Sequence, residues 1–388
     1  MNRAFCSRRS FLGSAARGGA ALGLCPRLLL GPLSQATQAA WRGTGNVSDQ
    51  PARYWKPLEG SDLRCALCPR LCTVKNGERG FCGARENTDG EYRTRVYGRP
   101  CEDAVLLDPI EKAPFNHVMP AAKTLALGCA GCNLDCKYCQ SWEWAQNRPE
   151  ATNNKILPPA SVVAACQKYG LKWIVFTFTE PVQCIEYVMD TAREAKQNGI
   201  RTAVHTAGYV QPGPLKDMIA DLAAVNVDLK GFSDDFYQTV TGGSLAPVLE
   251  TIKAVKAAGK WLEVTNLVIP GYNDSENMVV EMARWIVGNC GAETPLHLSR
   301  FFPKYKMLNV PATPTEKLRA LRQAAWKEGL RYCYIGNVPG EGGENTFCAK
   351  CGTKVIKRVG YAQTANLCLD TRTGRCGNCG NRIPGIWQ

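Results

Sequence analysis

At 388 residues, the chain is long enough for one large α/β domain plus smaller modules, and 45% hydrophobic with 21% charged residues excludes a disordered or membrane-spanning protein. The formal charge of +13 overstates the case for a nucleic-acid partner: Arg3, Arg8, Arg9, Arg17 and Arg27 fall in residues 1–39 with no acid, which leaves +8 beyond them. Thiolate-bound metals would lower the folded charge to about +3, too little to argue for nucleic acid. Twenty cysteines against three histidines (His117, His205 and His297) mean that any metal sites are almost purely thiolate. Cysteines grouped at ligand spacing in a chain of this size read as metal sites more readily than as a disulfide framework.

Ser7-Arg8-Arg9-Ser10-Phe11-Leu12, a weakly apolar stretch to Leu30 and the segment Thr37-Gln38-Ala39-Ala40 read as a twin-arginine export signal over residues 1–39. That signal predicts a periplasmic or membrane-associated protein. The alternative is a disordered basic extension on a cytoplasmic one. No run reaches the roughly 20 apolar residues of a membrane span.

Residues 40–121 hold a first cysteine module, Cys65-x2-Cys68-x3-Cys72-x9-Cys82, with Gly77, Gly80 and Gly83 among its ligands. Glycines between close cysteines let backbone amides turn toward sulfur. Four ligands fill either a zinc ion or an iron–sulfur cluster, and spacing alone leaves both open. The apolar run Thr124 to Leu127 then reads as a strand entering a loop that carries Cys132-x3-Cys136-x2-Cys139. Three thiolates can hold three irons of a [4Fe-4S] cluster and leave the fourth open to a ligand. Cys129 with these three can also be read as a compressed four-cysteine zinc site. The strand before the loop, the aromatic Tyr138 and the regular strand–helix alternation downstream count against that, and make Cys129 a buried free thiol.

Over residues 122–340 strand-like runs alternate with helical segments: Thr124 to Leu127, Trp173 to Thr179, Arg201 to Thr206, Ala223 to Leu229, Trp261 to Ile269 and Pro295 to Phe302, with Arg331 to Gly336 as a possible seventh. Such βαβ units predict a partial TIM-like (β/α)6 barrel with its site at the carboxyl ends of the strands. Residues 341–388 turn basic and carry Cys348-x2-Cys351 and Cys376-x2-Cys379, 24 residues apart, each pair followed by glycine (Gly352, Gly380). Two such knuckles form a zinc-ribbon signal, with Cys368 between them as a non-ligand.

These segments together resemble the radical SAM enzymes of the AmmeMemoRadiSam system, relatives of the pyruvate formate-lyase activating enzymes. The likeness runs from residue 52 to 388 through Cys65-Ala66-Leu67-Cys68-Pro69, Gly80-Phe81-Cys82-Gly83-Ala84-Arg85, Asp108-Pro109-Ile110-Glu111-Lys112, the loop with Gln140-Ser141-Trp142-Glu143, Val227-Asp228-Leu229-Lys230, Ile269-Pro270-Gly271-Tyr272-Asn273-Asp274, His297-Leu298-Ser299-Arg300-Phe301 and Gly336-Asn337-Val338-Pro339-Gly340. The resemblance implies that Cys132, Cys136 and Cys139 bind a [4Fe-4S] cluster whose open iron takes S-adenosylmethionine (SAM). It implies that Tyr138 lies by the adenine and that Thr179-Glu180-Pro181 receives the methionyl amino group. Asp228 and Lys230 correspond to a pair that reaches SAM, the lysine being suited to its carboxylate. Both glycines of the family's Gly-Gly-Glu segment are replaced here.

His297 and Arg300 are candidate substrate contacts. Three positions apart on one strand, they cannot both face the same side, and Arg300 is the better anion contact. The reading implies SAM cleavage to a 5′-deoxyadenosyl radical, a low-potential electron donor and an unidentified substrate, possibly a protein. Activation of a glycyl-radical enzyme is a narrower alternative. A non-catalytic metal-binding adaptor for RNA or protein is a third.

Overall fold

The structure is a computed structural model that describes residues 46–361 and 363–388. Residues 1–39, read above as a twin-arginine export signal, lie outside the described residues. Among the latter, no helix is long and apolar enough to cross a membrane.

The centre is one eight-stranded sheet. Seven strands run parallel in sequential order: β1 (Lys123–Cys129), β2 (Trp173–Phe176), β3 (Arg201–Thr206), β4 (Ala224–Asp228), β5 (Trp261–Val268), β6 (Leu296–Arg300) and β7 (Cys333–Gly336). Both faces of a parallel sheet are covered, so these strands are near-continuous apolar runs, as in the wholly buried Trp173-Ile174-Val175-Phe176. Helices α1 (Pro159–Lys168), α2 (Ile185–Gln197), α3 (Pro212–Ile219), α4 (Leu245–Ala257), α5 (Glu276–Cys290) and α6 (Thr315–Lys327) supply the crossovers.

Two outcomes differ from the sequence reading. The strand Pro100–Pro109 pairs antiparallel with β1 at the sheet's edge, where Glu102 and Asp103 are exposed. Charge on an edge strand discourages further pairing and also hides the strand's apolar periodicity. Strand β2 ends at Phe176, not Thr179. Phe178 takes a left-handed φ of 70°, and the Thr179 amide donates back to the Thr177 carbonyl at 2.8 Å. The chain therefore turns out of the sheet just before Glu180.

The amino-terminal module has two small antiparallel sheets, one joining Gln50–Pro51, Arg85–Thr88 and Glu91–Thr94, the other Trp55–Pro57, Leu63–Cys65 and Thr73–Val74. Its buried Leu63, Leu67, Val74 and Tyr92 belong to the same apolar core as the sheet and its helices. A buried ion pair joins them: Arg85 donates to both carboxylate oxygens of Glu186 on α2, at 2.7 and 3.0 Å. The carboxyl-terminal module builds a second core of Val355, Ile356, Leu369, Cys376, Ile383 and Trp387 against Tyr332 and Tyr334. Arg358 secures it through Glu111 at 3.3 Å and the Asn116 carbonyl at 2.7 Å.

Candidate active site

Because the seven strands are parallel, their carboxyl ends share one edge of the sheet, where α/β proteins place their sites. The loop after β1 carries Cys132, Cys136 and Cys139. Its backbone is held by amide donation from Asp135 to the Thr241 carbonyl (2.9 Å) and from Lys137 to the Val240 carbonyl (3.0 Å). The Leu134 amide donates to Cys132 Sγ at 3.4 Å, a contact that stabilises a thiolate. Without metal, burial pushes the Cys136 thiol up to about 11 and raises Cys132 further. These thiols need a cation to exist as thiolates at neutral pH. Cys129 is buried one strand-end away with its thiol toward the Val96 carbonyl (3.7 Å), as a free thiol.

Beyond β2, the Glu180 carboxylate is buried and saturated on three sides. Oε1 accepts from Thr206 Oγ1 (2.5 Å) and the Val182 amide (3.1 Å), and Oε2 accepts from the Ala207 amide (2.8 Å). Burial nevertheless raises its carboxyl above the ordinary range. Pro181, also buried, opens the short 3-10 turn Pro181–Cys184, while the Thr179 amide is spent on Thr177. At the end of β4, Asp228 Oδ2 accepts from Lys230 Nζ (2.9 Å) and Oδ1 faces His205 Nε2 (2.8 Å). Burial opposes the Asp228 charge, but His205 and Lys230 outweigh it and hold the carboxyl well below its usual range. Lys230 Nζ lies 5.9 Å from the ring centre of Tyr138, which is buried with no hydrogen-bond partner for its hydroxyl. The loop, Glu180, Asp228 and Lys230 thus come together.

The candidate substrate contacts do not join them. His297 is buried, with Nε2 at 2.6 Å from Glu263 and its ring stacked on Tyr334. Arg300 donates from Nε to the Thr313 carbonyl at 2.8 Å and lies over Phe302. His297 lies in the register row of Asp228 and Thr265 and is held by Glu263 and Tyr334. His205, Thr206 and Ala207 were not anticipated as site residues. Their only sequence signal was their position at the end of a predicted strand.

The cysteine sets differ in geometry. Among the described residues, only Cys348, Cys351, Cys376 and Cys379 bring three or more metal-ligating atoms within 4.8 Å of one another. Cys348 and Cys379 sulfurs are 3.6 Å apart, and those of Cys351 and Cys376 3.8 Å. Each knuckle is built alike: the Gly352 amide donates to the Cys348 carbonyl and the Gly380 amide to the Cys376 carbonyl, at φ of 70° and 71°. Cys368 stands outside the four.

The family model described as the radical SAM superfamily matches residues 128–286, which contain the cysteine loop, Glu180, Asp228 and Lys230. An uncharacterized protein of Methanocaldococcus jannaschii is 42% identical over 333 residues, covering 86% of this chain and 98% of that protein. A pyruvate formate-lyase-activating enzyme of Clostridium pasteurianum is 25% identical over 206 residues, covering 50% of this chain and 86% of that one. The structure of a radical SAM methyltransferase from Sphaerobacter thermophilus, at 16% identity, covers 78% of this chain and 82% of its own with a TM-score of 0.46. Three cysteines on the loop after the first parallel strand, within a matched segment of this extent, place the chain in the radical SAM superfamily as an enzyme related to the activating enzymes.

Proposed function

We propose that this protein cleaves SAM reductively and uses the resulting radical to take a hydrogen atom from its substrate. The observation that carries the reading is the meeting of the Cys132–Cys139 loop with Glu180, Asp228 and Lys230 at one edge of a mostly parallel sheet. Cys132, Cys136 and Cys139 would hold three irons of a [4Fe-4S] cluster and leave the fourth for SAM. When bound, the cluster supplies the electron that cleaves SAM to methionine and a 5′-deoxyadenosyl radical. A carboxylate has about four acceptor positions, and Glu180 fills three with protein donors, leaving one for the methionyl ammonium. Lys230, held as ammonium by Asp228, is suited to the SAM carboxylate. His205 keeps Asp228 ionised and fixed, and Tyr138 lends a buried ring beside the adenine.

Zinc is the metal we assign to Cys348, Cys351, Cys376 and Cys379. Tetrahedral Zn–S bonds of about 2.3 Å require sulfurs about 3.8 Å apart, which matches the knuckle spacing. The second reading is an activase that installs a glycyl radical on a partner protein. It is favoured by relatives named as activating enzymes, such as the isethionate sulfite-lyase activating enzyme of Oleidesulfovibrio alaskensis, 29% identical over 230 residues.

Anaerobic reconstitution with iron and sulfide, then dithionite and SAM, tests the first reading. 5′-Deoxyadenosine is expected from the wild-type chain, and its absence at full iron loading overturns the proposal. Lys230→Met is expected to weaken SAM binding at least about tenfold, about 1.4 kcal/mol, with iron content unchanged. A glycyl signal in electron paramagnetic resonance (EPR) on a co-incubated partner separates the activase from enzymes that attack other substrates.

A further inference from the structure

The amino-terminal module contains a cavity that the reaction above does not use. It is lined by Cys65, Cys68, Cys72 and Cys82 together with Tyr92 and Asn133. Although all four cysteines line one space, no three of their sulfurs are grouped within 4.8 Å of one another. A single zinc ion needs them about 3.8 Å apart, a spacing the carboxyl-terminal knuckles reach in the same chain. Ligands to separate irons stand farther apart, and the Cys132, Cys136 and Cys139 sulfurs are likewise spread.

The wall is also built to receive sulfur. Tyr92 is buried, and its hydroxyl has no hydrogen-bond partner. A Cβ on Gly80 would lie 3.0 Å from that hydroxyl and 3.9 Å from Cys72 Sγ, so the donor stands among the ligands. The Phe81 amide donates to Cys72 Sγ at 3.5 Å. Arg70 and Arg85 also line the cavity; Arg85 is already paired with Glu186, so Arg70 is the cation left to offset thiolate charge.

One thin wall divides this cavity from the catalytic loop. Arg70 Nε donates to the Asn133 carbonyl at 2.5 Å, and Asn133 directly follows Cys132. Gly131 has a φ of 93°, and a Cβ there would lie 2.3 Å from the Cys82 carbonyl oxygen. Only glycine permits that approach.

We propose that Cys65, Cys68, Cys72 and Cys82 bind a second iron–sulfur cluster, closed by four cysteines, that serves as a one-electron relay. It takes one electron from an external donor of the ferredoxin or flavodoxin class, which is oxidised by one, and passes that electron on. No bond or proton is transferred. The Cys132–Cys139 loop on the other side of the wall is the acceptor's place. That acceptor role rests on the functional reading above, whereas the metal assignment does not.

The test is metal, sulfide and EPR analysis of the full chain carrying Cys132→Ala, Cys136→Ala and Cys139→Ala, purified anaerobically. The expected result is one zinc with about two or about four irons, equal sulfide and a reduced-cluster EPR signal, the count setting the cluster type. Two zincs and no iron overturn the proposal. Should that variant fail to fold, Cys65→Ser/Cys68→Ser in the otherwise wild-type chain answers the same question. Loss of about two of six or about four of eight irons, with the remaining EPR signal still perturbed by SAM, supports the assignment; iron unchanged from wild type at about four overturns it. The SAM perturbation reports on the Cys132–Cys139 site alone, so failure of the catalytic reading is distinguishable from failure of this one.

Discussion

Two four-cysteine modules flank the sheet, and the same ligand produces opposite geometries in them. At the carboxyl end both pairs are Cys-x2-Cys followed by a glycine of positive φ, and the four sulfurs meet around a point. At the amino end only Cys65 and Cys68 have that spacing. Cys72 follows Leu71 at a φ of 46°, Cys82 arrives ten residues later, and the sulfurs line a cavity instead. The lesson is that ligand spacing specifies a metal site, while backbone turns decide whether one ion or a larger group fits it. The anchoring differs in parallel: two ion-pair contacts from Arg85 to Glu186 against one longer contact from Arg358 to Glu111.

The largest expected effect breaks the carboxyl-terminal half of this comparison. Structural zinc in small modules is worth roughly 10–16 kcal/mol of apparent binding energy, and that energy is folding energy. Cys376→Ser is expected to lose one zinc and to abolish hydrogen-exchange protection over residues 346–388, while protection of β1 to β6 persists. Retained protection after zinc loss would mean that the Tyr334, Ile356 and Trp387 core holds the module unaided.

The anchors come next. Glu186→Ala leaves the Arg85 guanidinium buried without its counter-ion and is expected to cost about 3–5 kcal/mol. Glu111→Ala should cost less, because Arg358 keeps the Asn116 carbonyl and the Thr346 hydroxyl as acceptors. Chemical denaturation of both variants checks the order, and equal losses would remove the distinction between the two interfaces.

A smaller, pH-dependent effect belongs to the carboxyl-terminal side. His117 donates from Nδ1 to the Pro384 carbonyl and accepts from the Tyr334 hydroxyl at Nε2, each at 2.6 Å, so the neutral ring ties the tail to the sheet. Burial lowers its pKa to about 4, whereas an unfolded histidine titrates near 6.5. Between these values the unfolded chain binds the proton and the folded chain does not. Stability present above pH 6.5 is therefore lost as pH falls to 4, up to about 3 kcal/mol. His117→Gln should flatten that window in urea titrations at successive pH values.

Legibility in the sequence followed the range of the interactions involved. Strands β1 to β7 were visible because burial on both faces makes each a continuous apolar run. Pro100–Pro109 was not, since Glu102, Asp103 and Asp108 interrupt its pattern. Spacing marked the three-cysteine loop and both four-cysteine sets as candidates, of which the carboxyl-terminal four meet around one point, and the family likeness marked Glu180, Asp228 and Lys230. The clamp of His205 on Asp228 was not, because it joins strand ends 23 residues apart. Nor was the turn at Phe178, where an aromatic residue adopts a φ that its side chain disfavours. Periodicity limited His297 and Arg300 to one residue on each face, but the Glu263 partner of His297, on a different strand, was not legible.

The smallest effect bears on the amino-terminal cavity. Tyr92→Phe removes one oxygen and leaves the ring in place. If the cavity were an empty packing defect, deleting a buried hydroxyl without a partner would be neutral or stabilising, since such a group costs about 1–3 kcal/mol. If the hydroxyl donates to cluster sulfur, its loss removes a hydrogen bond that favours the reduced, more negative state. A neutral hydrogen bond of about 1 kcal/mol corresponds to roughly 40 mV for a one-electron couple. The variant is therefore expected to keep its iron and to shift the second cluster's midpoint potential down by that amount, read by EPR-monitored redox titration of the chain lacking Cys132, Cys136 and Cys139. An unshifted potential with raised stability would show that the hydroxyl faces packing and that sulfur binding owes nothing to it.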